Sequence, residues 1–175
     1  MPLTTSQSGE LPGRADSTME IADPTQYPNG YFADPATGKP VDGKLFLRLC
    51  HLAGTRLPGI WGVLFFWVRV PWYRLLDDLL YVTPGGDEIK VSHGFVFNGG
   101  SIPFLFRWLY TPDDPDCLPA FAVHDRLCES HRFDSGKTHA ILRFACLANG
   151  ARRSQANVIY RAVLVGYPCF YAEKP

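Results

Sequence analysis

The sequence predicts an α+β fold: a small antiparallel sheet drawn from residues ~44–97, packed on a helical hairpin and a third helix within residues ~118–166. Two observations carry that expectation. In the first half, β-branched and aromatic residues run or alternate in short stretches broken by Gly and Pro, as short strands do. In the second half, apolar residues recur at three- and four-residue spacing between capping residues, as amphipathic helices require. A chain of 175 residues can bury one such core and still carry a tail.

Residues 1–30 are rich in Ser, Thr, Pro, Gly and Asp and poor in large apolar side chains, so they are expected to form a flexible polar arm ahead of a single globular domain at 31–175. Lys44–Gly54 suits either a short buried helix with a glycine stop or a strand. The most apolar run, Ile60–Trp72, is too short to span a bilayer. Its composition favours a buried strand ending at Pro71, because proline cannot donate to a ladder. The same run offers an aromatic partner surface of Trp61, Phe65, Phe66, Trp67 and Trp72, fit for another subunit or a membrane surface.

Tyr73–Val82 and Ile89–Phe97 are expected to pair as a hairpin around the glycine-containing turn at 83–88, with alternation placing His93 on the apolar face. Pro119 is suited to the first turn of a helix, with Asp113, Asp114 and Asp116 near its positive end. Phe121, His124, Leu127, Cys128 and His131 then share one helical stripe. Asp134 or Ser135 can cap a second helix reaching about Asn149 with Gly150 as its stop, and Ile141, Phe144, Ala145 and Ala148 mark its expected inner face. Ser154 can cap a third helix ending near Gly166.

Lys and Arg balance Asp and Glu at 17 each, so no long-range field favours a polyanion and nucleic acid is not an expected partner. Five cysteines at 50, 117, 128, 146 and 169 follow neither zinc-ribbon nor disulfide-scaffold spacing, and the first residues lack the basic and apolar regions of a secretory signal. Reduced thiols are the expectation.

The chemistry-bearing residues cluster in the predicted helical hairpin. If its two helices run antiparallel, His124 and His139 can face one another. Three arrangements are open. His124 could act as a general base, with Asp125 and carbonyls of the Gly99–Gly100 loop holding a divalent cation. His124, Cys128, His131 and His139 could approach one zinc ion. Or Cys128 is a small core hydrophobe, His124 a buried neutral histidine, and Asp125 the partner of an arginine such as Arg126 or Arg143.

The stretches GFVFNGGSIP (Gly94–Pro103) and AVHDRLC (Ala122–Cys128), with the helix that follows, resemble in order and spacing an uncharacterised domain family of tailed bacteriophages and prophages. That family's pattern runs G-F-x-T-D-G-A-S-I-P, A-x-x-H-D-x-L-Y and A-D-x-x-F, and the likeness covers about residues 73–167. The pattern is in turn similar to the phospholipase A2 arrangement of a glycine-rich calcium loop, a His-Asp helix and an aspartate on the next helix. The likeness implies His124 as base, Asp125 as calcium ligand and Asn98, Gly99, Gly100 and Ser101 as the loop. This chain departs from it at Phe97-Asn98 in place of T-D, at Cys128 in place of tyrosine, and at Thr138-His139 in place of A-D.

Two carboxylates are thereby replaced, and an imidazole does not stabilise a neighbouring imidazolium as a carboxylate does. The expectation is a phage structural or assembly protein, a virion component near the tail or portal, built on a degenerate hydrolase-like scaffold without a cofactor. Its partners would be other phage structural proteins or further copies of the chain, in the virion or host cytoplasm. The alternatives are a calcium-dependent lipid or ester hydrolase and a zinc-stabilised binding module.

Overall fold

Pro71 lies inside a strand rather than at its end. The computed structural model describes residues 22–47, 49–55, 70–98 and 114–166, and among them the strands are β1 (Tyr31–Ala33), β2 (Pro40–Val41), β3 (Leu49–Thr55), β4 (Val70–Leu75), β5 (Leu79–Val82), β6 (Glu88–Val91) and β7 (Val96–Asn98). The helices are α1 (Gly43–Phe46), α2 (Leu118–Ser130), α3 (Ser135–Ala148) and α4 (Arg153–Gly166). This is the α+β arrangement expected, with the helices packed on one another and on strands. The proline is accommodated because the β3–β4 register shifts between Leu52↔Trp72 and Thr55↔Val70, an irregularity opposite Pro71 where its missing N–H breaks no regular pair.

The strands form two antiparallel sheets rather than one, ordered β2-β1-β5-β6 and β3-β4-β7. The expected hairpin is their common element. A single register runs from Val82↔Glu88 near the turn to Trp72↔Asn98 at the open end. It is interrupted midway, where Leu76, Asp77 and Asp78 face Ser92, His93 and Gly94. Gly94 takes a φ of +79° and donates to the Leu75 carbonyl at 2.8 Å, and the Asp78 carboxylate accepts the His93 N–H at 2.8 Å. His93 is therefore not on the apolar face: its side chain is 79% exposed, because strand alternation stops at the bend.

Strand pairing also begins earlier than residue 44. β1 sits between β2 and β5, and its Tyr31 and Ala33 pack with Leu80, Val82, Ala22 and Tyr27. Ala22, Tyr27 and Gly30, which fall in the stretch read from composition as an arm, pack against β1 and β5. The ambiguity at 44–54 resolves into one turn of helix capped by Asp42 and then β3. The N-terminal residues 1–21, the aromatic residues Trp61, Phe65, Phe66 and Trp67, and the loop Gly99–Ser101 lie outside the described residues. Of the aromatic set Trp72 is described. It is half-buried and falls on the opposite side of β4 from buried Tyr73 and Leu75.

Gly30 shows how closely β1 enters the fold. Its φ is +71°, and a Cβ there would stand 2.3 Å from the Val82 carbonyl oxygen and 2.7 Å from the Tyr81 hydroxyl, which donates to the Asn29 carbonyl. Gly30→Ala is expected to destabilise by roughly 2–4 kcal/mol, combining backbone strain with a backbone clash that cannot relax. Gly94→Ala, at φ +79° with nothing within 4 Å of a Cβ, supplies the control. It should cost only the strain, about 1–2 kcal/mol; urea unfolding that gives equal losses contradicts this account.

The helices follow their caps. Cys117 and Leu118 donate to the Asp114 carbonyl at 3.0 Å, Pro119 occupies the first turn of α2, and His131 ends the helix in the left-handed region at φ +50°. Asp134 caps α3 through the Lys137 N–H at 2.9 Å, and Gly150 follows it at φ +92°. The inner face of α3 is rotated from the expected one: Thr138, His139, Ile141, Leu142, Ala145 and Cys146 are buried, whereas Phe144 and Ala148 are half-buried. Residues packing against both α2 and α4 are selected here, and a single apolar stripe cannot describe a helix with two partners. α4 begins at Arg153, with the Arg152 carbonyl accepting the Ala156 N–H, so the start falls just before Ser154.

The hairpin is fastened at both ends. Asn149, just past α3, donates to the Pro115 and Asp116 carbonyls at 3.1 and 3.0 Å, tying the end of α3 to the start of α2. At the connection, Arg132 donates to the Glu88 carbonyl at 2.5 Å and Lys137 pairs with Asp87 at 3.1 Å, holding the helices to the β5–β6 turn. Among the described residues no helix is long and apolar enough to cross a membrane.

Candidate functional site

α2 and α3 run antiparallel through a short connection, which brings His124, seven residues before the α2 cap His131, opposite His139 in the second turn of α3. Nε2 of His124 lies 3.1 Å from Nδ1 of His139, and the rings are 5.3 Å apart at 30°. Both residues are 3% exposed. The other nitrogen of His124, Nδ1, faces the Asp125 carboxylate at 3.7 Å, and the Cys128 sulfur is 3.7 Å from both ring nitrogens. Asp125 is half-buried, at 16% side-chain exposure.

This geometry limits the protonation states. Two nitrogens 3.1 Å apart share one hydrogen, so one donates and the other accepts. Nδ1 of His124 turns towards the Asp125 carboxylate at 3.7 Å, which favours placing the positive charge, and the donated Nε2–H, on this ring rather than on His139. His139 then accepts at Nδ1 and is the neutral partner. Burial pushes His124 down, but the Asp125 carboxylate and the Cys128 sulfur more than reverse this, and its pKa is raised to about 9. Burial and the charge on His124 both push His139 down, to about 4. The pair holds a single positive charge through neutral pH.

Such an arrangement stores a charge more readily than it moves one. A general base must be unprotonated at working pH with a nitrogen within reach of its substrate. His124 is protonated below about pH 9 and both its nitrogens are turned onto protein groups. His124 is buried, as the core reading has it, and the electrostatics of the pair favour the charge on His124 and the neutral state on His139. Asp125 lies 3.7 Å from Nδ1 of His124, while Arg126 pairs with Glu129 at 3.2 Å and Arg143 donates to Asn157 at 2.7 Å.

The four zinc candidates are not gathered together. His131 is the exposed, left-handed cap of α2 and lies outside the His124–Cys128–His139 cluster. Among the described residues no group of three or more His, Cys, Asp or Glu side chains is placed to hold a metal ion. The residues described therefore do not fit a four-ligand zinc set. For calcium, Asp125 is the described member, whereas the Gly99–Gly100 carbonyls and Ser101 lie outside the described residues. Asn98 closes β7 opposite Trp72, and β7 packs on α2, the helix that carries His124.

Two contributors to this region escape a linear reading. Asn149, taken as part of a helix stop, is the clamp that holds the start of α2. Cys117 and Cys146 are both fully buried and touch, from opposite chain directions. The available signal was the antiparallel hairpin itself, which puts the first turn of one helix beside the last turn of the other.

No curated protein and no solved structure matches the chain. A family model described as a protein of unknown function, DUF1353, matches residues 73–163, from β4 through most of α4. The match contains the hairpin strands, His124, Asp125, Cys128 and His139 and spans more than half of the chain, which belongs to the DUF1353 family.

Proposed function

We propose that the chain is a phage-encoded structural or assembly protein, a virion component near the tail or portal, in which the His124–Asp125 helix serves as a packing element instead of a catalyst. The observation that supports this reading is the placement of His124: buried, with Nε2 3.1 Å from His139 and Nδ1 turned towards Asp125. A ring so buried between two protein partners contributes cohesion between α2 and α3 and is poorly placed to take a proton from a substrate. The phage setting rests on the motif likeness at Gly94–Pro103 and Ala122–Cys128. The partners would be other virion proteins or further copies of the chain, without a metal or cofactor.

A calcium-dependent ester or lipid hydrolase is the second reading. It is favoured by one feature, the order of the groups: Nε2 of His124 turns to the second helix and Nδ1 towards the neighbouring carboxylate, as a base oriented from behind and facing a metal ligand would be. A single preparation separates the two. Phospholipid and short-chain ester hydrolysis in excess calcium is expected to be the same for wild type and His124→Gln, and peptides of the chain are expected in mass spectra of purified particles. Hydrolysis that needs calcium and disappears in the variant, with the chain missing from particles, would establish the enzyme instead.

A further inference from the structure

Cys117 caps α2 and Cys146 lies in the last turn of α3, so the antiparallel hairpin sets them side by side at its open end. Both are free thiols, both are fully buried, and both belong to the main core cluster. Cys117 stands against Cys146, and this contact together with burial holds the Cys146 thiol well above its ordinary value. The surrounding backbone is already fixed: Asn149 holds the Pro115 and Asp116 carbonyls, and the Cys146 carbonyl accepts the Ala151 N–H at 3.0 Å. Neither cysteine takes part in the His124–His139 contact.

We infer that Cys117 and Cys146 are a latent disulfide, a redox-sensitive staple that joins the start of α2 to the end of α3 when the chain meets a small-molecule disulfide such as glutathione disulfide. The thiolate of one cysteine attacks the oxidant, forming a mixed disulfide and releasing one glutathione thiolate. The thiolate of the second cysteine attacks the protein sulfur of that mixed disulfide and releases the other glutathione. One S–S bond forms within the protein and one breaks in the oxidant. Two electrons pass to the two glutathiones, which take up the two thiol protons.

Burial makes the reduced pair slow to react, since thiolate is the attacking species and is scarce in an apolar core. Reaction proceeds when the open end of the hairpin separates locally, so mild urea accelerates it. Once formed, the bond removes conformational freedom from the unfolded chain between residues 117 and 146 and raises the thermal midpoint.

The test uses the full chain, incubated at mildly alkaline pH with glutathione disulfide or with a reductant, alkylated with iodoacetamide in denaturant and digested with trypsin. The result expected is that peptide Trp108–Arg126, containing Cys117, is joined to Phe144–Arg152, containing Cys146. The oxidised chain should melt roughly 5–10 °C above the reduced one. That gain should vanish in both Cys117→Ala and Cys146→Ala. Both peptides recovered only in alkylated or glutathione-bearing form, either cysteine joined instead to Cys50, Cys128 or Cys169, or joined peptides with an unchanged midpoint would overturn the inference. The wild-type peptide map decides even if a variant folds poorly.

Discussion

His139→Leu lowers the unfolding free energy by about 2–4 kcal/mol at neutral pH, while the double variant His124→Leu/His139→Leu recovers most of that loss. The single substitution removes the acceptor at 3.1 Å and leaves an imidazolium buried at 3% exposure with an unmade hydrogen bond. Removing both rings takes away the charge and the donor together and leaves an apolar helix contact of similar volume, which buried ionic groups often tolerate without loss. Urea unfolding of the four chains forms a double-mutant cycle with a coupling expected to exceed about 1 kcal/mol. Additive losses in the single variants would mean that the rings do not act as a pair.

The second large effect is on pH dependence. His124 has a folded pKa of about 9 against an ordinary 6.5, so the folded chain binds the extra proton more tightly. Its contribution is complete below about pH 6.5 and is lost as pH rises through 9. His139 has a folded pKa of about 4 against 6.5, so its contribution is complete above about 6.5 and is lost as pH falls through 4. Together they stabilise the chain most near pH 6.5 and progressively less on either side. The melting temperature of wild type minus that of the double-leucine variant isolates the pair from the surface carboxylates. That difference is expected to peak between about pH 6 and 7; a flat difference from pH 4 to 9 would count against it.

Much of the helical half was legible because its signals are local. Pro119, Asp134 and Gly150 mark helix ends through backbone geometry that neighbouring residues alone determine. The facing of His124 and His139 followed from two helix periods and one short loop. The β half was less legible because strand limits depend on partners far along the chain. Pro71 stays in β4 only because the β3–β4 register shifts beside it, and His93 is exposed only because Asp77, Asp78 and Gly94 bend the hairpin. β1 is held by β2 and β5, so a polar context around three buried residues concealed it.

The candidate site divides along the same line. That His124, Asp125, Cys128 and His139 lie in one neighbourhood could be read from spacing. Which ring carries the proton could not, since that depends on a 3.1 Å contact between helices and a carboxylate turned towards Nδ1. His131 belonged to the same helical stripe, but the chain leaves the helix there in a left-handed turn and carries it away from the cluster.

The most direct measurement is a pH titration of the histidine ring nitrogens by NMR on ¹⁵N-histidine-labelled protein. The account predicts that both nitrogens of His124 stay protonated from neutral pH up to about 9, while His139 remains neutral, with its proton on Nε2, down to about pH 4. If His124 is instead neutral at pH 7 and both rings titrate near 6.5, Nδ1 has an available lone pair, the charge-storing pair does not exist, and His124 regains the properties of a base.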